Sequence, residues 1–252
     1  MAIAIRKNAE IDKLRAANKI VGGALALMRE NTRVGASLKE LDAMAEDYIR
    51  SHGAVPSFKG LYGFPNTVCT SVNEVIIHGI PSDYRLQEGD IVGYDIGTKL
   101  DSYYGDAAIT VGVGQISETD EKLIACAKDT LYHAIESIRD GMRFKELSYL
   151  MQEFILSRGF VPLRDFCGHG IGKRPHEEPQ IPNYLDAPNP KTGPKIKNGM
   201  AFCLEPMICQ KESKPVILKN GWDVVSKDGL RGSHYEHTVA VVGGKAEILS
   251  QG

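Results

Sequence analysis

The stretch Gly35–Pro56, GASLKELDAMAEDYIRSHGAVP, returns at Gly141–Pro162 as GMRFKELSYLMQEFILSRGFVP, an offset of 106 residues with 9 of 22 positions identical. The shared positions include Lys-Glu-Leu, an Ile and a Ser before the glycine, and the closing Val-Pro. Each copy has apolar residues at helical spacing, ends at a glycine and continues into an extended Val-Pro. Ser37 and Glu40 have the S-x-x-E form of a capping box, which predicts the start of the first helix. Longer helical patterns precede both copies, roughly over 8–30 and 117–140. Strand patterns follow them, over 90–97 and 103–112 in the first half and over 200–210 and 236–242 in the second. Two similar helix-then-strand units predict an α+β fold with pseudo-two-fold symmetry: one domain, 1–252, with halves about 1–115 and 116–252 and a site where they meet. A chance match between amphipathic helices would not repeat the glycines and the proline at one offset. One segment fits neither pattern. Residues 175–194 hold six of the 12 prolines, read as irregular, and follow a glycine-rich histidine loop, as the wall of a site would.

The chain has 252 residues, 30 Lys+Arg against 32 Asp+Glu, and is 42% hydrophobic. This is the profile of a globular protein long enough for a sizeable core. A net charge of −2 argues against a protein built to coat DNA or an anionic membrane. No apolar run reaches the length of a membrane span. The N-terminal MAIAIRKNAEID carries charges where a secretory signal needs an apolar run, so a cytoplasmic protein is expected. Five unclustered cysteines (69, 126, 167, 203, 209) read as reduced thiols rather than a disulfide framework.

Asp95 and Asp106 bracket the segment DIGTKLDSYYGD. A hairpin turning at 99–102 would set the two carboxylates directly opposite each other, with Cβ atoms about 4.5–5.5 Å apart. Their repulsion is relieved by a proton or a cation. The second half offers a matching pair. Gly89–Asp95, GDIVGYD, lies on Gly199–Glu205, GMAFCLE, at an offset of 110, and Tyr104-Gly-Asp106 lies on His234-Tyr-Glu236 at 130. Asp95, Asp106, Glu205 and Glu236 are then expected at equivalent strand positions around a shared centre. Four ionised carboxylates need compensating charge, and two divalent cations balance them. A nitrogen donor stands in CGHGIG, where glycines on both sides of His169 let the backbone approach a bound ion. His78 and His176 each stand nine residues after a cysteine, Cys69 and Cys167, and are expected to face the site from opposite sides.

With these residues the chain closely resembles the type I methionine aminopeptidases of the short bacterial kind, over essentially its whole length. The resemblance rests on CTSVNEVIIHGIP (69–81), the eleven-residue spacing of Asp95 and Asp106, GHGIG followed by PHEEP, the Glu205-Pro206 pair and YEHT around Glu236. It implies the pseudo-symmetric pita-bread fold, two α/β halves with antiparallel sheet around a central dinuclear metal site. It also implies Asp95, Asp106, His169, Glu205 and Glu236 as metal ligands. Asp106 and Glu236 would bridge two ions, Asp95 would hold one, and His169 with Glu205 the other. The 36 residues from His169 to Glu205 lack the insert of the type II enzymes, and there is no Cys/His-rich N-terminal extension of the eukaryotic type I kind.

The implied activity is hydrolytic removal of the initiator methionine from nascent polypeptides with a small second residue. Two cations sharing carboxylates can hold a water and make it hydroxide near neutral pH. That hydroxide would attack the first peptide bond, with Glu205 as proton shuttle, His176 at the developing oxyanion and His78 at the peptide nitrogen. The substrate's amine would complete the coordination of the ion held by Asp95 and so restrict cleavage to a chain end. One nitrogen and four carboxylate ligands point to manganese, iron or cobalt, with zinc open. A polarisable methionine pocket is expected from Phe58, Leu61, Phe64, Cys69, His78 and Trp222. LYGF at 61–64 and Pro175 depart from the Tyr-rich segment and the aromatic usual in the family. Asn73, Val75 and Gly232 resemble its monovalent-cation (sodium or potassium) site. Nascent N-termini as partners, a transient ribosome contact, no DNA, no membrane and a monomer complete the expectation. Three readings compete: a proline-specific peptidase of the same fold, usually longer; a binding protein that has lost ligands; and a dinuclear phosphoesterase, for which more His and Asn ligands would be expected.

Overall fold

Amphipathic spacing produces helices α1 (Asn8–Asn31) and α2 (Leu38–Ser51) in the first half and α3 (Glu118–Ser137) and α4 (Phe144–Ser157) in the second, in a computed structural model that describes residues 2–251. The repeated segments are α2 and α4. Both stop before a glycine in the left-handed region, Gly53 at φ 75° and Gly159 at φ 81°, where a residue without Cβ turns the chain at little cost. The start of α2 falls where expected, but the capping box does not form. The Ser37 side chain makes no cap hydrogen bond, and Glu40 turns to the Arg85 guanidinium at 3.3 Å. Ser37 itself pairs through its backbone with Arg85, which brings that cation within reach of Glu40. α3 is capped by Ser117, whose hydroxyl accepts from the Asp120 N–H at 3.1 Å.

The strands of the first half are β1 (Val55–Pro56), β2 (Val68–Val72), β3 (Val75–Ile77), β4 (Ile91–Leu100) and β5 (Tyr103–Gly112). Those of the second are β6 (Val161–Pro162), β7 (Cys167–Gly170), β8 (Glu177–Pro182), β9 (Ala201–Leu204), β10 (Met207–Cys209), β11 (Pro215–Ile217), β12 (Val224–Ser226), β13 (Gly232–His234), β14 (Glu236–Val242) and β15 (Lys245–Ile248). The largest sheet runs β1-β4-β5-β14-β9-β7-β8, with β2 also on β4 and β15 also on β14. Every ladder in it is antiparallel. Two smaller sheets have the orders β13-β10-β6 and β11-β12-β3. The centre of the large sheet is the β5–β14 pair, one strand from each half.

The helices cover one face of this sheet. Met28, Leu41, Leu131 and Leu147 pack with Tyr94, Phe202 and Val239 of the strands in one buried cluster. Burying a side chain of this size is worth about 1.5–3 kcal/mol, so this cluster, which draws on both halves, holds them together. Two expectations need correction here. The strand over 200–210 is broken between β9 and β10, because Pro206 has no N–H to continue a ladder. The proline-rich segment 175–194 is not irregular throughout: β8 pairs with β7, and its prolines lie on the sheet's outer strand, where a missing donor is tolerated. No helix among the described residues is long and apolar enough to cross a membrane.

Candidate active site

β4 and β5 carry the first two acids. Asp95 pairs with Ala108, and Asp106 with Gly97, around a two-residue turn at Asp101 (φ 47°) and Ser102 (φ 67°). The acids are therefore two residues out of the directly opposed register expected from sequence. A tight turn with both φ values positive matches the twist of the flanking strands and prevails over the wider turn at 99–102. Because the shift is even, both side chains stay on one face, and both still line one cavity.

Across the sheet centre Ala107 pairs with His237 and Ala108 with Glu236, while Thr238 pairs with Cys203 on β9. A two-fold through the Ala107–His237 pair carries Asp106 onto Glu236. It also carries Asp95 onto Cys203: Asp95 faces Ala108, whose mate is Thr238, and Thr238 faces Cys203. Glu205 lies beyond the last residue of β9, released from the ladder by Pro206. The expectation of four carboxylates at equivalent strand positions is thus corrected. Asp106 and Glu236 are equivalent, Asp95 is matched by a thiol, and Glu205 enters from outside the ladder.

β7 lies beside β9 and brings His169 to the same point, its Nε2 3.4 Å from Glu205 Oε1 and 3.9 Å from Asp106 Oδ2. Donor atoms of Asp106, His169, Cys203 and Glu236 all lie within 4.8 Å of one another. His169 Nδ1 stands 3.1 Å from the Gly170 carbonyl. A hydrogen bond there assigns the ring proton to Nδ1 and leaves the Nε2 lone pair facing the carboxylates. Burial and the nearby His176 lower the His169 pKa to about 3, so its carboxylate contacts are not ion pairs. Burial pushes Asp95 up to about 7. It also raises Asp106, Glu205 and Glu236 well above the carboxylate range, reinforced in each by the other acids. Asp95 Oδ1, Asp106 Oδ1 and Glu236 Oε1 are buried with no hydrogen-bond partner among the described residues. Lone pairs that converge without a donor, in a site too dry to ionise its acids unaided, fit a bound divalent cation.

These groups form the floor of a cavity of about 450 Å³. His78 and His176 both line it. His78 has φ 61° and meets Phe166 edge-on at 5.6 Å; burial, then His176, lowers its pKa to about 4. His176 meets the His169 ring edge-on at 4.5 Å. Its loop is fixed by Glu177, which pairs with Arg6 and accepts the N–H groups of Lys173 and Arg174 at 3.0 and 3.2 Å. Phe58, Phe64 and Cys69 form an apolar cluster with Leu61 and Trp222 against it. All five line the cavity, with Phe64 and Trp222 edge-on at 5.0 Å. Away from the cavity, Asn73 (φ 56°) and Gly232 are neighbours, the Gly232 N–H pointing at the Asn73 carbonyl at 3.4 Å, while Val75 pairs with Val225.

Sequence reasoning missed Tyr62, Phe166, Gln180 and His234 on the cavity wall and Cys203 in the donor cluster. His234 Nε2 is buried without a partner among the described residues, and burial lowers its pKa to about 3. His234 had a legible signal: it stands two residues before Glu236, on the same face of an extended segment. Cys203 stands likewise two residues before Glu205.

Known proteins are similar to the chain in sequence and in fold. A methionine aminopeptidase of Helicobacter pylori is 61% identical over 252 residues, all of both chains. The crystal structure of a methionine aminopeptidase from Thermotoga maritima matches with a TM-score of 0.97 at 36% identity, covering 100% of both chains. A prolidase from Pyrococcus furiosus matches with a TM-score of 0.79 at 25% identity, over 98% of this chain but 65% of its own. The curled antiparallel sheet common to them is the pita-bread fold. Residues 12–242 match the family model of metallopeptidase family M24. On this match, and on full-length identity to its relatives, the chain belongs to metallopeptidase family M24.

Proposed function

We propose that this protein is a methionine aminopeptidase, a metallo-exopeptidase that removes the N-terminal methionine from polypeptides with a small second residue. One observation carries the reading: a donor cluster with unpartnered lone pairs forms the floor of a cavity whose wall is the apolar group Phe58, Phe64, Cys69 and Trp222. Asp95, Asp106, His169, Glu205 and Glu236 would hold divalent cations. Bound there, such ions supply Lewis-acid activation of a water and of the scissile carbonyl. One nitrogen among oxygen donors suits manganese, iron or cobalt, and zinc as well.

The protein's own groups do the rest. The apolar cluster takes the methionine side chain, with the Trp222 and Phe64 rings and the Cys69 sulfur offering polarisable contacts. His176 donates its N–H to the carbonyl oxygen as negative charge develops there. His78, held neutral by burial, contacts the peptide nitrogen. Glu205 takes the proton from the attacking water and returns it to the leaving nitrogen. The cavity floor is closed by buried acids, so a free amine fits beside Asp95 where a preceding residue would not. Asn73, Val75 and Gly232 form a monovalent-cation site through their carbonyls. The protein acts as a cytoplasmic monomer on nascent chains, with a transient ribosome contact.

A peptide panel tests this reading. Manganese-loaded protein should release methionine from Met-Ala-Ser and leave Xaa-Pro peptides intact. Cleavage of Xaa-Pro alone would make it a proline-specific peptidase. Phosphate release from a generic ester without methionine release would make it a phosphoesterase.

A further inference from the structure

In the reading given above His176 meets the developing oxyanion, yet burial does not hold it in place. Lys173, Arg174 and His176 are all exposed, and their segment passes from β7 to β8 outside the ladder. The Glu177 carboxylate, on the residue after His176, gathers this segment. Its Oε1 accepts the N–H groups of Lys173 and Arg174 at 3.0 and 3.2 Å, and its Oε2 pairs with the Arg6 guanidinium. Arg6 Nη2 also reaches the Ile171 carbonyl at 3.4 Å. One cation therefore touches both ends of the segment that carries His176, residue 171 and residue 177.

Arg6 comes from the stretch that precedes α1 and is itself firmly seated. Its backbone N–H donates to the Gly199 carbonyl at 2.6 Å. Two glycines make room for it. A Cβ at Gly199 would stand 2.8 Å from the Arg6 carbonyl oxygen, and a Cβ at Gly172 would overlap the guanidinium. The side chains of Arg6 and Glu177 are only 9% and 10% exposed. Burial strips both charges of water, so such a pair adds little net stability. Geometry is what it fixes, and the geometry concerned is that of His176, whose ring meets His169 of the donor cluster at 4.5 Å. We propose that Arg6 is a positioning residue for catalysis: it ties the two ends of the segment 171–177 together and so sets the placement of His176 over the donor cluster. The inference rests on the reading in which His176 meets the scissile carbonyl, and it brings the N-terminal segment of the chain into the chemistry.

The test measures kcat and KM for Met-Ala-Ser, and bound manganese, in the wild type, Arg6→Ala, His176→Ala and the double variant. Arg6→Ala should lower kcat by about tenfold or more, since a misplacement of about 1 Å can cost about 10²-fold. Its KM and bound manganese should stay close to wild type. In the His176→Ala background the same substitution should change kcat by less than about twofold, because a residue that acts through another has nothing left to act on. An unchanged kcat in Arg6→Ala overturns the inference. So does an equal fall in both backgrounds, or loss of manganese from Arg6→Ala, either of which would make Arg6 a support for the fold or for the metal centre. Where Arg6→Ala does not fold, Arg6→Gln, which keeps the stem and removes the charge, carries the same comparison. Failure of the wild type to release methionine overturns the functional assignment itself, and the inference with it.

Discussion

Asp106 stands among other acids in a fully buried site. Its carboxylate faces Asp95, Glu236 and the Nε2 lone pair of His169, while its own N–H is held by the Asn18 side chain at 3.2 Å. Asp106→Ala should abolish divalent-metal binding and methionine release together, a coupling that metal analysis of the dialysed variant reads directly. His176→Ala has a different signature. The metals stay, KM changes little, and kcat falls by about 10²–10³, as when one donor to an oxyanion is removed. Retained kcat in that variant would remove His176 from the chemistry. At this scale the sequence was informative where chemistry depends on residue type. The acids and histidines named from spacing all line one cavity. Tyr62 and Phe166 were not legible, because their place arises where separate loops meet, and nothing local marks that meeting.

Elements fix how those side chains meet. α1 lies directly against the β4–β5 hairpin, and Thr98 donates to the Ala17 carbonyl at 3.0 Å. Gly105 permits this approach: a Cβ there would stand 3.0 Å from the Ala17 carbonyl carbon and the Asn18 nitrogen, both helix backbone. Gly105→Ala should destabilise the protein by about 1–3 kcal/mol, the cost of overpacking a rigid contact. By displacing the adjacent Asp106 it should also weaken metal binding. Denaturant unfolding of the apo form, with a metal titration alongside, separates the two effects; an apo stability equal to wild type would show that the helix can yield. The repeat predicted α2 and α4 well because helix periodicity and terminal glycines are local signals. The spacing argument, with its turn at 99–102, misjudged the hairpin register, since two turns compete and strand twist decides between them. It also aligned Glu205 with Asp95, whereas the ladder aligns Cys203, because Pro206 breaks a strand that looks continuous in sequence.

The whole molecule is two helix-backed half-sheets joined at β5 and β14, with its most costly burial at the join. Acids whose pKa is raised in the fold favour folding below their unfolded pKa and lose that contribution as pH rises through the folded value, for Asp95 from 3.8 towards about 7. The buried histidines act oppositely: depressed to about 3–4, they favour folding above 6.5 and lose that contribution as pH falls. Bound cations need the carboxylates ionised and His169 neutral, so metal binding releases protons. The gain in Tm on adding manganese should therefore grow as pH is raised from about 5 to 7, which thermal melts of apo and loaded protein will show. A gain independent of pH would place the metal elsewhere. The central claim, that this join is a metal centre for releasing methionine, is tested most directly by titrating manganese into the metal-free protein. Bound metal and methionine release from Met-Ala-Ser are measured on the same samples. The account predicts no release without metal, activity rising in step with the ions bound, and neither in Asp106→Ala. Full methionine release by the metal-free protein would contradict it.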